Sequence, residues 1–100
     1  HGEGVYTYSN GNRYIGSYVN DIKLGEGVLT YNNGDKYDGQ WKDGAKEGIG
    51  AYLDSKGNKY EGEWKNDLQH GKGILTYIGG IIQEGIWEKG SLKYPKNIEP

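Results

Sequence analysis

Apolar and polar residues alternate along most of the chain, and the alternation itself recurs. Asp38 and Gln40 separate Tyr37, Gly39 and Trp41; Glu61 and Glu63 separate Tyr60, Gly62 and Trp64; Ile15 and Ser17 separate Tyr14, Gly16 and Tyr18. A period of two puts the two sets on opposite faces of a strand. A turn-like stretch follows each run, Lys42-Asp43-Gly44-Ala45 in the middle copy. A second alternating run comes next, as in Gly25, Gly27, Leu29 and Tyr31. The unit closes on Asn10-Gly11, Asn33-Gly34-Asp35 or Lys56-Gly57-Asn58, each a hairpin-turn signal with positive-φ positions. No stripe of helical period and no capped helix start is visible. The pattern therefore predicts one β-hairpin per unit.

Positions 14, 37 and 60 set a period of 23 residues, and a fixed period of roughly 20–50 marks a repeat array. The boundaries that follow are a half unit at 1–13, whole units at 14–36, 37–59 and 60–82, a degenerate unit at 83–94 and a tail at 95–100. The chain opens on His1 in the middle of a unit, as expected of a piece of a longer array.

The glycines belong to the repeat. There are 19, and only Gly79 falls off its phase. In an antiparallel ribbon, equivalent strands of neighbouring units lie about 9–10 Å apart. Rings such as Tyr37 and Tyr60 would be too distant to stack, since aromatic pairs prefer centroids about 4.5–7 Å apart. The intervening strand carries Gly48 and Gly50, and the rings are expected to lie flat on that bare backbone.

Composition narrows the class. Only 33% of residues are hydrophobic, Phe and Met are absent, and mean hydropathy is -0.94. A thick globular core is not expected, yet 10 Tyr and 3 Trp argue against disorder. The net charge of -2 is spread as interspersed acids and bases, which gives no basic face for nucleic acid and no polybasic cluster for a lipid surface. No apolar run approaches the ~18 residues of a membrane-spanning helix. Cysteine is absent, so disulfides, thiolate metal sites and a Cys nucleophile are excluded.

Candidate chemistry dissolves into the repeat. His1 and His70 share one phase but stand three units apart, too far for one metal. Glu61 and Glu63 occupy the places of Asp38 and Gln40, which suits a solvated face better than an acid–base pair. Gly71-Lys72-Gly73 lacks the Ser/Thr and the helix of a phosphate loop. Ser9, Ser17, Ser55 and Ser91 have no consistent His partner. No catalytic constellation, cofactor, metal or small-molecule substrate is expected.

The motif Tyr37-x-Gly39-x-Trp41-x-x-Gly44-x-x-x-Gly48-x-Gly50 resembles the MORN (membrane occupation and recognition nexus) repeat. So does Tyr60-x-Gly62-x-Trp64 with His70-Gly71-x-Gly73-x-x-x-Tyr77. The resemblance covers residues 1 to 90. It implies an all-β fold, an elongated single-layer antiparallel ribbon of successive β-hairpins with an aromatic groove. It further implies a non-enzymatic protein-binding or scaffolding module that docks a peptide, a helix or a second chain. The expected setting is cytoplasmic, in a cytoskeletal, ciliary or membrane-associated assembly. Alternatives are attachment to phospholipid, or an accessory region of a lipid kinase or methyltransferase whose catalytic domain lies outside these residues. The groove would be lined by Tyr14, Tyr18, Tyr31, Tyr37, Trp41, Tyr60, Trp64, Tyr77 and Trp87. The same rings could instead only hold neighbouring hairpins together.

Several positions depart from the pattern. Tyr18 replaces Trp, Asp54 stands where Tyr8, Tyr31 and Tyr77 stand in other units, and Gln83 replaces the opening Tyr. Ile78-Gly79-Gly80-Ile81-Ile82 replaces the polar turn. With Ile86, the isoleucines Ile78, Ile81 and Ile82 make an apolar end that suits cover by the tail, a further domain or a second chain.

Overall fold

The computed structural model describes residues 2–96; His1 and most of the expected tail lie outside the described residues. Among them are nine strands and no helix: β1 Gly2–Thr7, β2 Arg13–Val19, β3 Ile22–Thr30, β4 Lys36–Lys42, β5 Ala45–Leu53, β6 Lys59–Lys65, β7 Leu68–Thr76, β8 Ile82–Glu88 and β9 Ser91–Pro95. They form one sheet in which every strand pairs antiparallel with its neighbour in sequence. The result is a single-layer ribbon measuring 49 × 24 × 17 Å. Its radius of gyration of 14.5 Å exceeds the roughly 13 Å of a compact domain of this length. The ribbon of hairpins expected from the alternation is what forms.

Two kinds of turn alternate along its edges. One edge carries two-residue turns, Asn20-Asp21, Asp43-Gly44, Asn66-Asp67 and Lys89-Gly90. All eight residues have positive φ, between 50° and 88°, the conformation that matches the twist of paired strands. The other edge carries the longer Asn-Gly loops, where Gly34 has φ 99° and its N–H bonds to the Tyr31 carbonyl at 3.0 Å.

Hairpin ends are also joined from unit to unit. The N–H groups of Gly44, Asp67 and Gly90 donate to the carbonyls of Lys23, Lys46 and Gln69 at 3.0, 3.1 and 3.0 Å. On the loop edge, Asn12, Asp35 and Asn58 accept the N–H of Asn32, Ser55 and Ile78 at 2.9, 2.8 and 3.0 Å.

A row of glycines crosses the sheet from β1 to β8. Gly4, Gly16, Gly27, Gly39, Gly50, Gly62, Gly73 and Gly85 each pair directly with the next. A Cβ on Gly27, Gly50 or Gly73 would fall inside the ring of Tyr14, Tyr37 or Tyr60. The rings do lie on bare backbone, but the glycine assignment needs one correction. Gly50 carries the Tyr37 ring, whereas Gly48 does not. Gly48 sits where Glu47, Gly48 and Ile49 together oppose the single residue Gln40, and its φ is 99°. The space beside it holds the Gln40 side chain, whose Oε1 accepts the Ile49 N–H at 2.8 Å. Glu63 makes the same bond to the Lys72 N–H at 2.7 Å. Gly48 and its counterparts Gly25 and Gly71 thus serve a bulge, where a positive φ is needed.

Gly50→Val should destabilise the fold by about 3 kcal/mol or more and so lower the melting temperature strongly, because the new side chain displaces the Tyr37 ring. Gly44→Asp should cost under about 1 kcal/mol, since Asp67 holds the equivalent positive-φ site and bonds to the preceding unit. Thermal melts of the two variants check this, and equal shifts would refute the assignment of the glycine row.

Candidate functional site

The two faces of the ribbon differ in kind. One carries a ladder of rings. Tyr14 meets Trp41 at 5.7 Å between centroids, Trp41 meets Tyr37 at 5.0 Å, Tyr37 meets Trp64 at 5.2 Å, Trp64 meets Tyr60 at 5.2 Å and Tyr60 meets Trp87 at 5.2 Å. All five contacts are edge-to-face, the arrangement favoured by ring quadrupoles. The wide spacing between equivalent tyrosines is therefore bridged by Trp as well as by glycine. Each polar tip is satisfied. The hydroxyls of Tyr14, Tyr37 and Tyr60 donate to the carbonyls of Ser17, Gln40 and Glu63. The indole N–H groups of Trp41, Trp64 and Trp87 donate to the carbonyls of Gly27, Gly50 and Gly73 at 3.0 to 3.1 Å.

This packing leaves little ring surface for a partner. Of the nine rings assigned to the groove, Tyr14, Tyr37, Tyr60, Trp41, Trp64 and Trp87 are buried, none more than 6% exposed. Tyr18, Tyr31 and Tyr77 are half-buried at the margins. With Leu29, the six buried rings are the core, so the expectation of rings left partly bare gives way for them. The ring missing at Asp54 is replaced by Tyr52, which packs against Tyr31 at 5.7 Å and Trp64 at 6.1 Å. Asp54 instead closes its own loop, accepting from the Lys56 and Asn58 N–H groups and from the Asn58 amide. The Asn58 side chain is the chief cause that holds its carboxyl below the usual range.

The ring face also holds cations that sequence reasoning did not single out. The Lys46 amine lies 5.6 to 5.9 Å from the centroids of Tyr31, Tyr37, Trp41, Tyr52 and Trp64. It also pairs with Asp67 at 3.6 Å, and its side chain is only 12% exposed. One unit earlier, the Lys23 amine lies 5.1 to 5.4 Å from Tyr8, Tyr14 and Trp41. The signal was available, because Lys23 and Lys46 share one repeat phase; Gln69 and Leu92 hold it in the later units.

The opposite face is open. It holds three hollows: the first lies beside the glycine row, over Gly25 and Trp41, while the second and third form a trough between the side chains that flank the row from Gly39 to Gly85. The first, 400 Å³, is bordered by Leu24, Glu26, Gln40, Lys42 and Glu47. The second, 360 Å³, shares Glu26 and Gln40 with it and adds Asp38, Ile49, Ala51 and Glu61. The third, 630 Å³, shares Glu61 with the second and is walled by Ile74, Ile86, Tyr94 and Pro95. Sequence reasoning took this face as polar from Asp38, Gln40 and Lys42. The partner strands bring Ile49, Ala51 and Ile74 to it, because residues adjacent to Gly50 and Gly73 in the second run point there too. Ile86, assigned to an end contact, lines the third hollow. Ile78, Ile81 and Ile82 stand out at the loop edge, 56% to 69% exposed.

The MORN-repeat profile matches residues 1–13, 14–36, 37–59 and 60–81. The chain belongs to the MORN-repeat family. No curated protein matches it. The first three matched segments coincide with the units read from the period, and the fourth ends at 81 rather than 82. MORN repeats are a non-catalytic module associated with protein and membrane interactions. Among the described residues no group of three or more His, Cys, Asp or Glu is placed to hold a metal.

The ring face of this MORN array can be probed in two ways. Lys46→Met keeps the apolar stem but removes the cation from its five rings, and should cost about 1–2 kcal/mol in denaturant unfolding. No change would show that the rings do not draw on the charge. The second probe is alkali. Burial pushes the Tyr60 hydroxyl from the ordinary 10.0 up to about 12, and raises Tyr14, Tyr37 and Tyr52 as well. Above the ordinary value the unfolded chain sheds these protons while the folded chain keeps them, so stability falls as pH rises. The melting temperature should be flat from about pH 7 to 10 and fall between about 10 and 12. Melts combined with absorbance titration of the phenolates measure both.

Proposed function

We propose that this MORN array is a non-enzymatic docking module that binds a segment of another protein on its open face. The observation that carries the reading is the division of labour between faces. The rings are consumed in holding the ribbon together, and the described residues place no second layer over the other side. Val5, Ile15, Ile49, Ile74 and Ile86 remain 37% to 59% exposed there. Exposed apolar surface of this kind marks interaction sites. The margins of the ring face, Tyr18, Tyr31 and Tyr77, offer a secondary place of contact. A cytoplasmic assembly at the cytoskeleton, a cilium or a membrane periphery is part of the same proposal, as is service as an accessory region beside a catalytic domain.

A second reading has its own observation. The loop edge carries the exposed Ile78, Ile81 and Ile82, with Arg13, Lys36, Lys56 and Lys59 along the same edge. That combination suits self-association, and less well an anionic lipid surface, because Asp35 and Asp54 lie among the cations.

The readings separate by variant. Partner recovery by affinity capture from cells should be lost with Ile49→Asp combined with Ile74→Asp and retained with Ile81→Ser combined with Ile82→Ser. The Ile81/Ile82 variant should reduce mass in light scattering if the edge joins two copies. Sedimentation with anionic vesicles at physiological salt should recover little protein, since about 8 Å screening leaves scattered charges weak. Strong salt-sensitive recovery, with capture indifferent to Ile49 and Ile74, would overturn docking in favour of lipid.

A further inference from the structure

The trough on the open face is not uniform along its length, and its lining specifies what it can hold. Its floor is the glycine row. Its two walls are the residues on either side of each glycine, such as Asp38 and Gln40 about Gly39 or Ile74 and Lys72 about Gly73. Such neighbours two apart on a strand stand about 6.6 Å from each other at their roots. An α-helix with side chains is about 10–12 Å across, too wide to enter between them, whereas an extended chain lying along the tops of the walls sends every second side chain down toward the floor.

Charge and polarity then set the order of side chains on that chain. The middle hollow is bordered by Glu26, Asp38 and Glu61, and no Lys or Arg borders it. Glu61 meets only the exposed Lys59, at 3.6 Å, while Glu26 and Asp38 have no ion pair among the described residues. The hollow at the β7–β9 end is walled by Ile74, Ile86, Tyr94 and Pro95, with Lys72 at its border and Glu84 held by Lys96 at 3.4 Å. About three strand spacings separate the two centres, roughly 15 Å, which an extended chain covers in about four or five residues, and only a spacing of four keeps both side chains on one face.

We infer that the trough takes an extended peptide whose Lys or Arg lies four residues from a large apolar side chain. The basic group sits over Glu26, Asp38 and Glu61, and the apolar one fills the hollow between Ile74, Ile86 and Tyr94. The peptide crosses the strands rather than adding to an edge, so its backbone is not held by the ladder. Specificity therefore rests on the two anchors and the distance between them. The inference rests on the docking reading above and names the chemistry of its partner.

A random nonapeptide library displayed on phage, panned against the full chain, tests it while presupposing no particular partner. Enriched sequences should carry Lys or Arg four positions from Leu, Ile, Phe or Trp. The best of them, made as a labelled peptide, should bind about tenfold or more weakly to the charge-reversed Asp38→Lys/Glu61→Lys protein. Ile74→Asp should cause a loss of similar size. Lys36→Ala, outside the trough, should leave binding unchanged. If charge reversal unfolds the array in circular dichroism, Asp38→Asn with Glu61→Gln serves in its place, with a smaller loss in the same direction. Enriched peptides without the basic–apolar spacing, or binding indifferent to these variants, would overturn this inference and leave docking standing. Absence of any enrichment, together with strong recovery on anionic vesicles, would overturn both.

Discussion

A ribbon one strand thick has no second layer to cover its side chains, so its core must form within a single face. The glycine row solves this. Because Gly27, Gly50 and Gly73 carry no Cβ, the rings of Tyr14, Tyr37 and Tyr60 lie down on the sheet and reach almost full burial. A strand glycine costs about 0.5–1 kcal/mol in chain entropy, while a buried aromatic removes about 150–250 Å² from water, several times that cost at about 25 cal/mol per Å². The Gly16, Gly39 and Gly62 positions answer a second demand, since a Cβ there would strike the backbone of the paired glycine. Where one residue type satisfies both needs, the two strands of each hairpin must carry it in register, and they do.

The remaining interactions mostly link one unit to the next. Trp64 reaches back to the Gly50 carbonyl, Asp67 to Lys46, and Asn58 forward to Ile78. Stability in such an array is close to a sum over neighbours. A lesion in one hairpin is felt at two junctions and little beyond, which separates folding from binding more cleanly than a globular core allows.

Much of the fold was legible because the local signals agree. The two-residue alternation, the Asn-Gly loops and the fixed period all point to successive hairpins, and the ribbon follows from them. The site was less legible. The aromatic residues drew attention as anchors, but Tyr and Trp serve equally well as core when glycine lies beneath them, and sequence alone does not weigh the two. The bulge at Gly48 was hidden because glycines two apart look alike until the register shifts between them. The place of Lys46 could have been found from its shared phase with Lys23. Its five rings could not, since they come from β4, β5, β6 and the loop after β3, brought together only by pairing.

The departures from the repeat are more informative than the repeat. Lys23 and Lys46 brace the ring face, but Gln69 and Leu92 hold that phase in the later units. Asn12, Asp35 and Asn58 tie loop to loop, but Ile81 holds that phase next and has no acceptor to offer. Both bracing devices therefore lapse toward β8 and β9, where the 630 Å³ hollow is walled by Ile74, Ile86, Tyr94 and Pro95. Local rules in proteins tend to be broken where function competes with folding. The earlier units carry both braces, with Glu26, Asp38 and Glu61 about the middle hollow of the open face, and the later units give up those braces where Ile74, Ile86 and Tyr94 wall an apolar hollow.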